Sequence, residues 1–280
     1  AYSLWKAYKI LKEFRPDMVI GTGGYASAPT LKAAQWLGIP YFIQEQNSYA
    51  GITNKWVARG AQGLFVAYAH MERYFPHTPL YLTGNPIRKD LVELTDKAPQ
   101  AFASLGLDPQ VFTLLVIGGS LGARKINELV KTYLPLFQEK KVQVLWQCGA
   151  YYYPEYRSYE SDAVRVVPFV EDMKAAYSVA DVIISRAGAS SVSELAVVGK
   201  PVIFVPSPNV AEDHQTKNAQ AIADLKAALL LKETAIAADF APMFASLLED
   251  ASLRKTLSQN FKQLARPRAT EEIVDLMIKS

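Results

Sequence analysis

The sequence holds a single cysteine, Cys148, so no disulfide can form within the chain. One thiol fits a reducing compartment, and its place at the end of the apolar run VQVLWQC predicts a buried, inert group. Long hydrophobic runs are missing: nothing approaches the roughly 20 residues that cross a bilayer. The first residues also lack the apolar stretch and cleavage site of a secretion signal. A cytosolic chain, still free to lie on a membrane surface, is the expectation. A surplus of one charge is absent as well: 30 Lys and Arg against 27 Asp and Glu leave +3, too little for the broad basic footprint of a nucleic-acid binder. His70, His77 and His214 lack metal-ligand spacing, and no Asp-x-Asp triplet or Gly-x-Ser-x-Gly motif occurs. Catalytic zinc, a carboxylate-held Mg²⁺ and a serine-hydrolase elbow are therefore not expected, nor is any other metal or cofactor.

What is present is core. Half of the 280 residues are hydrophobic, enough for two domains. Short β-branched or aromatic runs alternate with helical patterns from end to end, the signature of βαβ units and parallel sheets. One set of strands is predicted at 18–20, 41–43, 64–67 and 80–82, and a second at 113–117, 142–146, 164–167, 182–184, 202–205 and 228–231. The turn Thr83-Gly84-Asn85-Pro86 between the sets is a natural boundary. The spacing predicts domains at 1–87 and 88–264, with a helical tail, broken at Pro267, whose residues 265–280 pack back on the first domain. The second set makes a complete doubly wound domain. The first opens on a helix, 1–14, where a nucleotide-type half-domain normally opens on a strand and glycine turn, so an open edge is expected on the 18–20 strand.

Three glycine turns follow predicted strands. They are Gly21-Thr22-Gly23-Gly24-Tyr25-Ala26-Ser27, Gly118-Gly119-Ser120-Leu121-Gly122-Ala123-Arg124, and the stretch SRAGASSVSELAVVGKPVIFVP from Ser185 to Pro206. In the third, Ser191 and Glu194 fit an S-x-x-E capping box, which predicts a helix beginning near Ser191. None is a Walker loop or a G-x-G-x-x-G fingerprint. Each still offers N–H groups at a helix N-terminus, where anions bind. A single such turn is as often a plain βα connection; three together point to a nucleotide or diphosphate. Polar residues gather at other strand ends: Glu45, Gln46 and Asn47; Asn85 to Arg88; Glu212 to Gln215. Asn47 and Asp213 are equally suited to capping the helices that follow them, and Arg88 reads either as a solvated arginine or as a phosphate clamp.

In combination, GTGGYAS, QEQNSYAGITNKWVA, GNPIR, GGSLGAR, VPFVEDMKAAYSVADVIISRAGASSVSELA and DHQTKNA closely resemble the MurG family, over essentially the whole chain. The resemblance implies the α/β GT-B fold, two Rossmann-like doubly wound domains facing a cleft, with the first domain incomplete. It implies a glycosyltransferase of peptidoglycan and cell-wall synthesis, serving cell shape, division and the cell cycle. The reaction would be an inverting transfer of N-acetylglucosamine from UDP-N-acetylglucosamine to the C4 hydroxyl of the muramyl sugar of undecaprenyl-linked lipid I, giving lipid II. On matching positions, Ser120 and Arg88 would meet the donor diphosphate and the Val170 backbone the uracil. Ala189, Ser190, Ser191, Val192, Ser193 and Glu194 would cradle the donor, with Glu194 on the ribose hydroxyls. Gln215 and Asn47 would lie at the sugar. Gly21, Thr22, Gly23, Gly24, Tyr25 and Ser27 resemble the loop for the acceptor diphosphate.

One family feature is missing: a further glycine turn of the form GGTGGH, whose His and Thr stand at the reaction centre. Ala1 aligns inside the family's first domain, so a shortened gene or fragment is expected, with the catalytic base in the missing loop. Glu45 is the remaining candidate for the base. The alternatives are a catalytically incomplete UDP-sugar-binding module and another UDP-sugar enzyme of the fold, such as an epimerase. In the first helix Leu4, Trp5, Tyr8 and Leu11 share a face flanked by Lys6, Lys9 and Lys12. That pattern suits either packing on a sheet or an anionic interface; the resemblance favours peripheral contact with the inner face of the cell membrane, and allows partnership with cell-wall synthesis proteins.

Overall fold

The computed structural model describes residues 2–279; Ala1 and Ser280, placed by the sequence reading in the first and last helices, lie outside the described residues. The chain divides into two compact units. One runs up to Ile87 and is completed by the stretch from Arg266; the other is Arg88–Ala265.

The first unit alternates α1 (Tyr2–Phe14), β1 (Val19–Gly21), α2 (Ser27–Leu37), β2 (Tyr41–Glu45), α3 (Ile52–Val57), β3 (Gly63–Val66) and β4 (Leu80–Leu82). Its four strands are parallel and pair in chain order, so β1 is an outer strand bonded to β2 alone. Strand alternation divides the core. Tyr41, Ile43, Leu64 and Val66 face Leu11, Leu31, Ala33 and Ala34 of α1 and α2. Phe42 and Phe65 turn the other way, stacked 5.7 Å apart, and pack with Ile273.

The second unit holds α4 (Pro99–Leu105), β5 (Thr113–Ile117), α5 (Arg124–Glu139), β6 (Gln143–Gln147), α6 (Tyr153–Tyr156), β7 (Val164–Val167), α7 (Met173–Val179), β8 (Val182–Ser185), α8 (Ala189–Val198), β9 (Val202–Phe204), α9 (His214–Asp224), β10 (Leu229–Leu230), α10 (Ile236–Glu249) and α11 (Ala251–Gln263). The chain then turns through Arg266 into α12 (Ala269–Ile278), which carries Ile273 into the first unit. All six strands are parallel, in the order β10-β9-β8-β5-β6-β7. Renumbered from β5, this is the doubly wound order, whose switch point falls between β5 and β8. Loops leaving the carboxyl ends of those strands are where this architecture binds ligands.

The segment entering this unit is pinned down. Ser178 Oγ donates to Thr95 O at 2.6 Å and accepts the Ala98 N–H at 3.0 Å, while Lys97 Nζ meets Asp181 at 2.8 Å. Lys200 Nζ pairs with Asp96, and burial pushes this ammonium below the ordinary lysine range despite that partner.

Strand positions differ from the sequence pattern by a residue at several ends, and β10 has two residues where four are expected. Three cap predictions are corrected. Helix α8 starts at Ala189, not Ser191, with Gly188 as N-cap and no side-chain cap bond. Helix α3 is capped by Gly51 rather than Asn47. Asp213 precedes α9 with its own φ at 49° and caps no backbone N–H; its carboxylate accepts from the Thr216 hydroxyl at 2.7 Å.

Candidate nucleotide-sugar site

The carboxyl edge of the second sheet is built on glycines and buried amides. After β5, the Gly118 N–H donates to Gln147 Oε1 at 3.0 Å, and Gln147 Nε2 donates back to Gly119 O at 2.9 Å. Gly122, at φ 77°, lies so close to β6's exit that a Cβ there would stand 2.0 Å from Cys148 O. That same carbonyl accepts from Asn127 Nδ2 at 2.9 Å, and Asn127 Oδ1 accepts the Trp146 indole N–H at 2.9 Å. The turn is thus fixed from beneath, while Ser120 stays exposed on it. After β7, Val170 has its side chain buried and Phe169 beside it is exposed, ahead of the Asp172 cap that accepts the Ala175 N–H at 2.9 Å.

Helix α8 leaves β8 directly. Its hydrogen-bond ladder begins with Val192 N donating to Gly188 O at 2.9 Å, so the Ser190 and Ser191 amides precede the first rung, at the positive end of the helix dipole. Within the predicted cradle Ser190 is exposed, Val192 is buried, and Ser193 Oγ donates back to Ala189 O at 3.1 Å. Glu194 does not close a capping box. Its Oε1 lies 3.4 Å from Arg88 Nε, with the carboxylate side chain 20% exposed and the guanidinium 44%. Tyr177, buried in α7, lies within range of the same charge; burial first, then the negative charge of Glu194, raises its phenol far above the ordinary range. Gln215 Oε1 accepts the Ser207 N–H at 2.9 Å, which ties α9 to the loop after β9.

Residues the sequence reading missed hold these loops in place. Arg186, between β8 and α8, donates to Val205 O at 2.8 Å and pairs with Glu233 at 2.6 Å, both side chains largely buried. Gln147 belongs to the same supporting set, and Tyr177 is buried within reach of the Glu194 charge. Their signal in the sequence is slight: a polar residue closing an apolar strand, an arginine inside a glycine turn, a tyrosine in an otherwise apolar helix.

The remaining predicted residues lie in the first unit. In the turn after β1, Gly23 and Gly24 have φ of 88° and 75°, Ser27 Oγ donates to Gly24 O at 2.9 Å, and Tyr25 is exposed. Gln46 Nε2 reaches Thr22 O at 3.2 Å. Glu45 is 2% exposed and accepts three donors: Asn47 N at 3.1 Å, Gly51 N at 2.9 Å and Asn54 Nδ2 at 2.8 Å. A carboxylate so engaged orders the Asn47 turn. The sequence-predicted residues therefore form two groups: Gly21 to Ser27 with Glu45 and Asn47 in the first unit, and Arg88, Ser120, Val170, Ala189 to Glu194 and Gln215 in the second. Among the described residues no three His, Cys, Asp or Glu side chains gather as metal ligands.

Comparison with known proteins is consistent with this layout. Residues 113–273 match the glycosyltransferase family 28 C-terminal domain and residues 2–66 the family 28 N-terminal domain. A UDP-N-acetylglucosamine--N-acetylmuramyl-(pentapeptide) pyrophosphoryl-undecaprenol N-acetylglucosamine transferase of Flavobacterium psychrophilum is 50% identical over 99% of this chain and 76% of the relative. Among solved structures, Acinetobacter baumannii MurG aligns with a TM-score of 0.82 at 32% identity, covering 99% of this chain and 77% of the other. A Neisseria meningitidis UDP-GlcNAc 2-epimerase bound to UDP-GlcNAc aligns with a TM-score of 0.71, covering 99% of this chain and 80% of the other. At 16% identity the epimerase shares the fold alone.

Proposed function

The chain belongs to glycosyltransferase family 28, and on that premise we propose that it transfers N-acetylglucosamine from UDP-N-acetylglucosamine to lipid I, forming lipid II. The observation that carries this reading is the 50% identity to a transferase of that name across 99% of the chain. The fold is GT-B. In the transfer, the C4 hydroxyl of the muramyl sugar attacks the anomeric carbon of N-acetylglucosamine, the bond to the diphosphate oxygen breaks with inversion, and UDP departs as the hydroxyl loses its proton.

The departing diphosphate gains negative charge, and this chain's residues are arranged to offset it. The amide end of α8, the fixed glycine turn carrying Ser120, and the Arg88 guanidinium would share that charge. Val170, with its side chain inside, would offer its backbone to the uracil, and Glu194 its carboxylate to the ribose hydroxyls. Gln215, its amide oxygen already used by Ser207, would present its NH₂ donors to the sugar. In the first unit Glu45 would hold Asn47 toward the transferred sugar, and the Gly21 to Ser27 turn would take the acceptor diphosphate.

Association with a membrane follows from surface chemistry. Leu4, Tyr8 and Leu11 of α1 pack inward, which corrects the shared face drawn from the sequence, while Tyr2, Trp5, Ile10 and Phe14 are exposed. Lys9 Nζ sits 4.0 Å over the Trp5 ring and Lys32 Nζ 5.3 Å from the Trp56 ring, with Trp36 and Ile52 exposed nearby on α2 and α3. Aromatics interleaved with lysines suit the headgroup layer of an anionic bilayer, here the inner face of the cell membrane. Among the described residues no helix is long and apolar enough to cross one.

Calorimetry with UDP-N-acetylglucosamine tests the donor site. Glu194→Ala is expected to weaken binding by roughly 2 kcal/mol, the scale of a hydrogen bond to a charged group; unchanged affinity would refute the assignment. Incubation with a soluble lipid I analogue should release UDP only when the analogue is present. Conversion of UDP-N-acetylglucosamine to its 2-epimer without any acceptor would mark the chain as an epimerase instead.

A further inference from the structure

Strand β6 lies between β5 and β7, and its last paired residue, Gln147, stands in register with Ile117 on one side and Val167 on the other. Those two residues are where the neighbouring strands end. The chain leaves Ile117 into the turn Gly118 to Arg124, proposed for the donor diphosphate, and leaves Val167 into the loop Pro168 to Val170, proposed for the uracil. Gln147 is 3% exposed, and its carboxamide is bonded to both loops. Oε1 accepts the Gly118 N–H at 3.0 Å, while Nε2 donates to Gly119 O at 2.9 Å and to Pro168 O at 3.3 Å. The orientation is forced, because a flipped amide would set NH₂ against an N–H and oxygen against two carbonyls. With both amide hydrogens on main-chain oxygens, no donor is left for a ligand. The strand ladder itself reaches the Val167 carbonyl, which accepts the Cys148 N–H at 3.0 Å. Pro168 O, the first carbonyl beyond it, is taken by Gln147.

Building on the donor reading above, we propose that Gln147 is a positioning residue that sets the spacing between the diphosphate turn and the uracil loop. It acts through main-chain groups and not on the nucleotide itself. A ligand with a base at one end and a diphosphate at the other gains affinity by engaging both ends at once, and loses that gain when the two subsites shift apart, even if each still binds its own half. Loops that leave different strands can shift in this way unless something joins them beyond the sheet. The Gln147 carboxamide is such a joint, so its loss is expected to show in the intact nucleotide rather than in its parts.

The test is calorimetry of the whole chain with UDP, and displacement of UDP by uridine and by pyrophosphate, in the parent, Gln147→Met and Gln147→Asn. Methionine keeps the length of the side chain and removes all three bonds; asparagine keeps the amide but stops a methylene short of the loops. In both variants UDP is expected to weaken about tenfold, the scale of one or two lost hydrogen bonds, while uridine and pyrophosphate stay within about twofold of the parent. Cys148, next along the chain, is expected to stay closed to the disulfide reagent DTNB, which shows that the end of β6 has kept its packing. Where Gln147→Met fails that check, Gln147→Asn carries the comparison; exposure of Cys148 in both would make Gln147 merely structural and overturn the proposal. Equal weakening of all three ligands, weakening of uridine or pyrophosphate alone alongside UDP, or unchanged UDP affinity would overturn it too. UDP that uridine or pyrophosphate fails to displace from the parent would instead count against the donor reading itself.

Discussion

Glu194 shows how a residue's meaning depends on what folds against it. Three positions after Ser191, it fits a cap; in the structure it is turned to Arg88, and the helix already begins after Gly188, two residues early. Glu45 is the converse case. A carboxylate in a polar strand end resembles a base; in the structure three donors within 3.1 Å engage it, and its oxygens order the Asn47 turn. Cys148 was legible outright. It is fully buried, and burial pushes its thiol up to about 11. At pH 8 almost none of it is thiolate, the reactive form. A disulfide reagent such as DTNB is therefore expected to leave the native chain unlabelled at pH 8 and to titrate one thiol after denaturation; fast labelling of the folded chain would contradict the buried placement.

At the scale of elements, the βα alternation was readable because parallel strands buried on both faces appear as short apolar runs between helical patterns. Boundaries were less so. Helix α8 starts straight after the extended Gly188, with no side-chain cap bond, rather than at a serine cap, and nothing in the local pattern separates those options. The turn after β5 shows what glycine does when a neighbour is near. At Gly122 a left-handed φ and a carbonyl 2.0 Å from any added Cβ act together. Gly122→Ala is expected to cost on the order of 3 kcal/mol or more, combining backbone strain with displacement of the β6 exit. Denaturant unfolding would measure it. The comparison is Gly119→Ala, where φ is also positive but a Cβ meets nothing within 4 Å; equal losses at both sites would remove the packing argument.

For the whole molecule, the exposed aromatics of α1, α2 and α3 give a prediction that belongs to no single residue. Sedimentation with anionic phospholipid vesicles is expected to carry the chain down, less so as salt rises, because lysine attraction to lipid is screened within about 10 Å at 0.1 M salt. A combined Trp5→Ser, Trp36→Ser and Trp56→Ser variant should lose most of that binding while its UDP affinity stays put. Vesicle binding unaffected by the triple change would place the contact elsewhere. The sequence by itself determined the class of fold, two parallel α/β sheets, and the positions of the glycine turns, because short apolar runs, helical spacing and residues without a Cβ are local properties of the chain. It also determined the family, through motifs that occur in order along nearly its whole length. Tertiary structure alone decided which partners those motifs meet. The Arg88 to Glu194 pair spans residues far apart in the chain, Arg186 anchors to Glu233 across β9 and β10, and Leu11 faces in while Trp5 faces out. Such choices follow from which elements the sheet order brings side by side, and sheet order is set by the packing of the whole unit rather than by any segment of it.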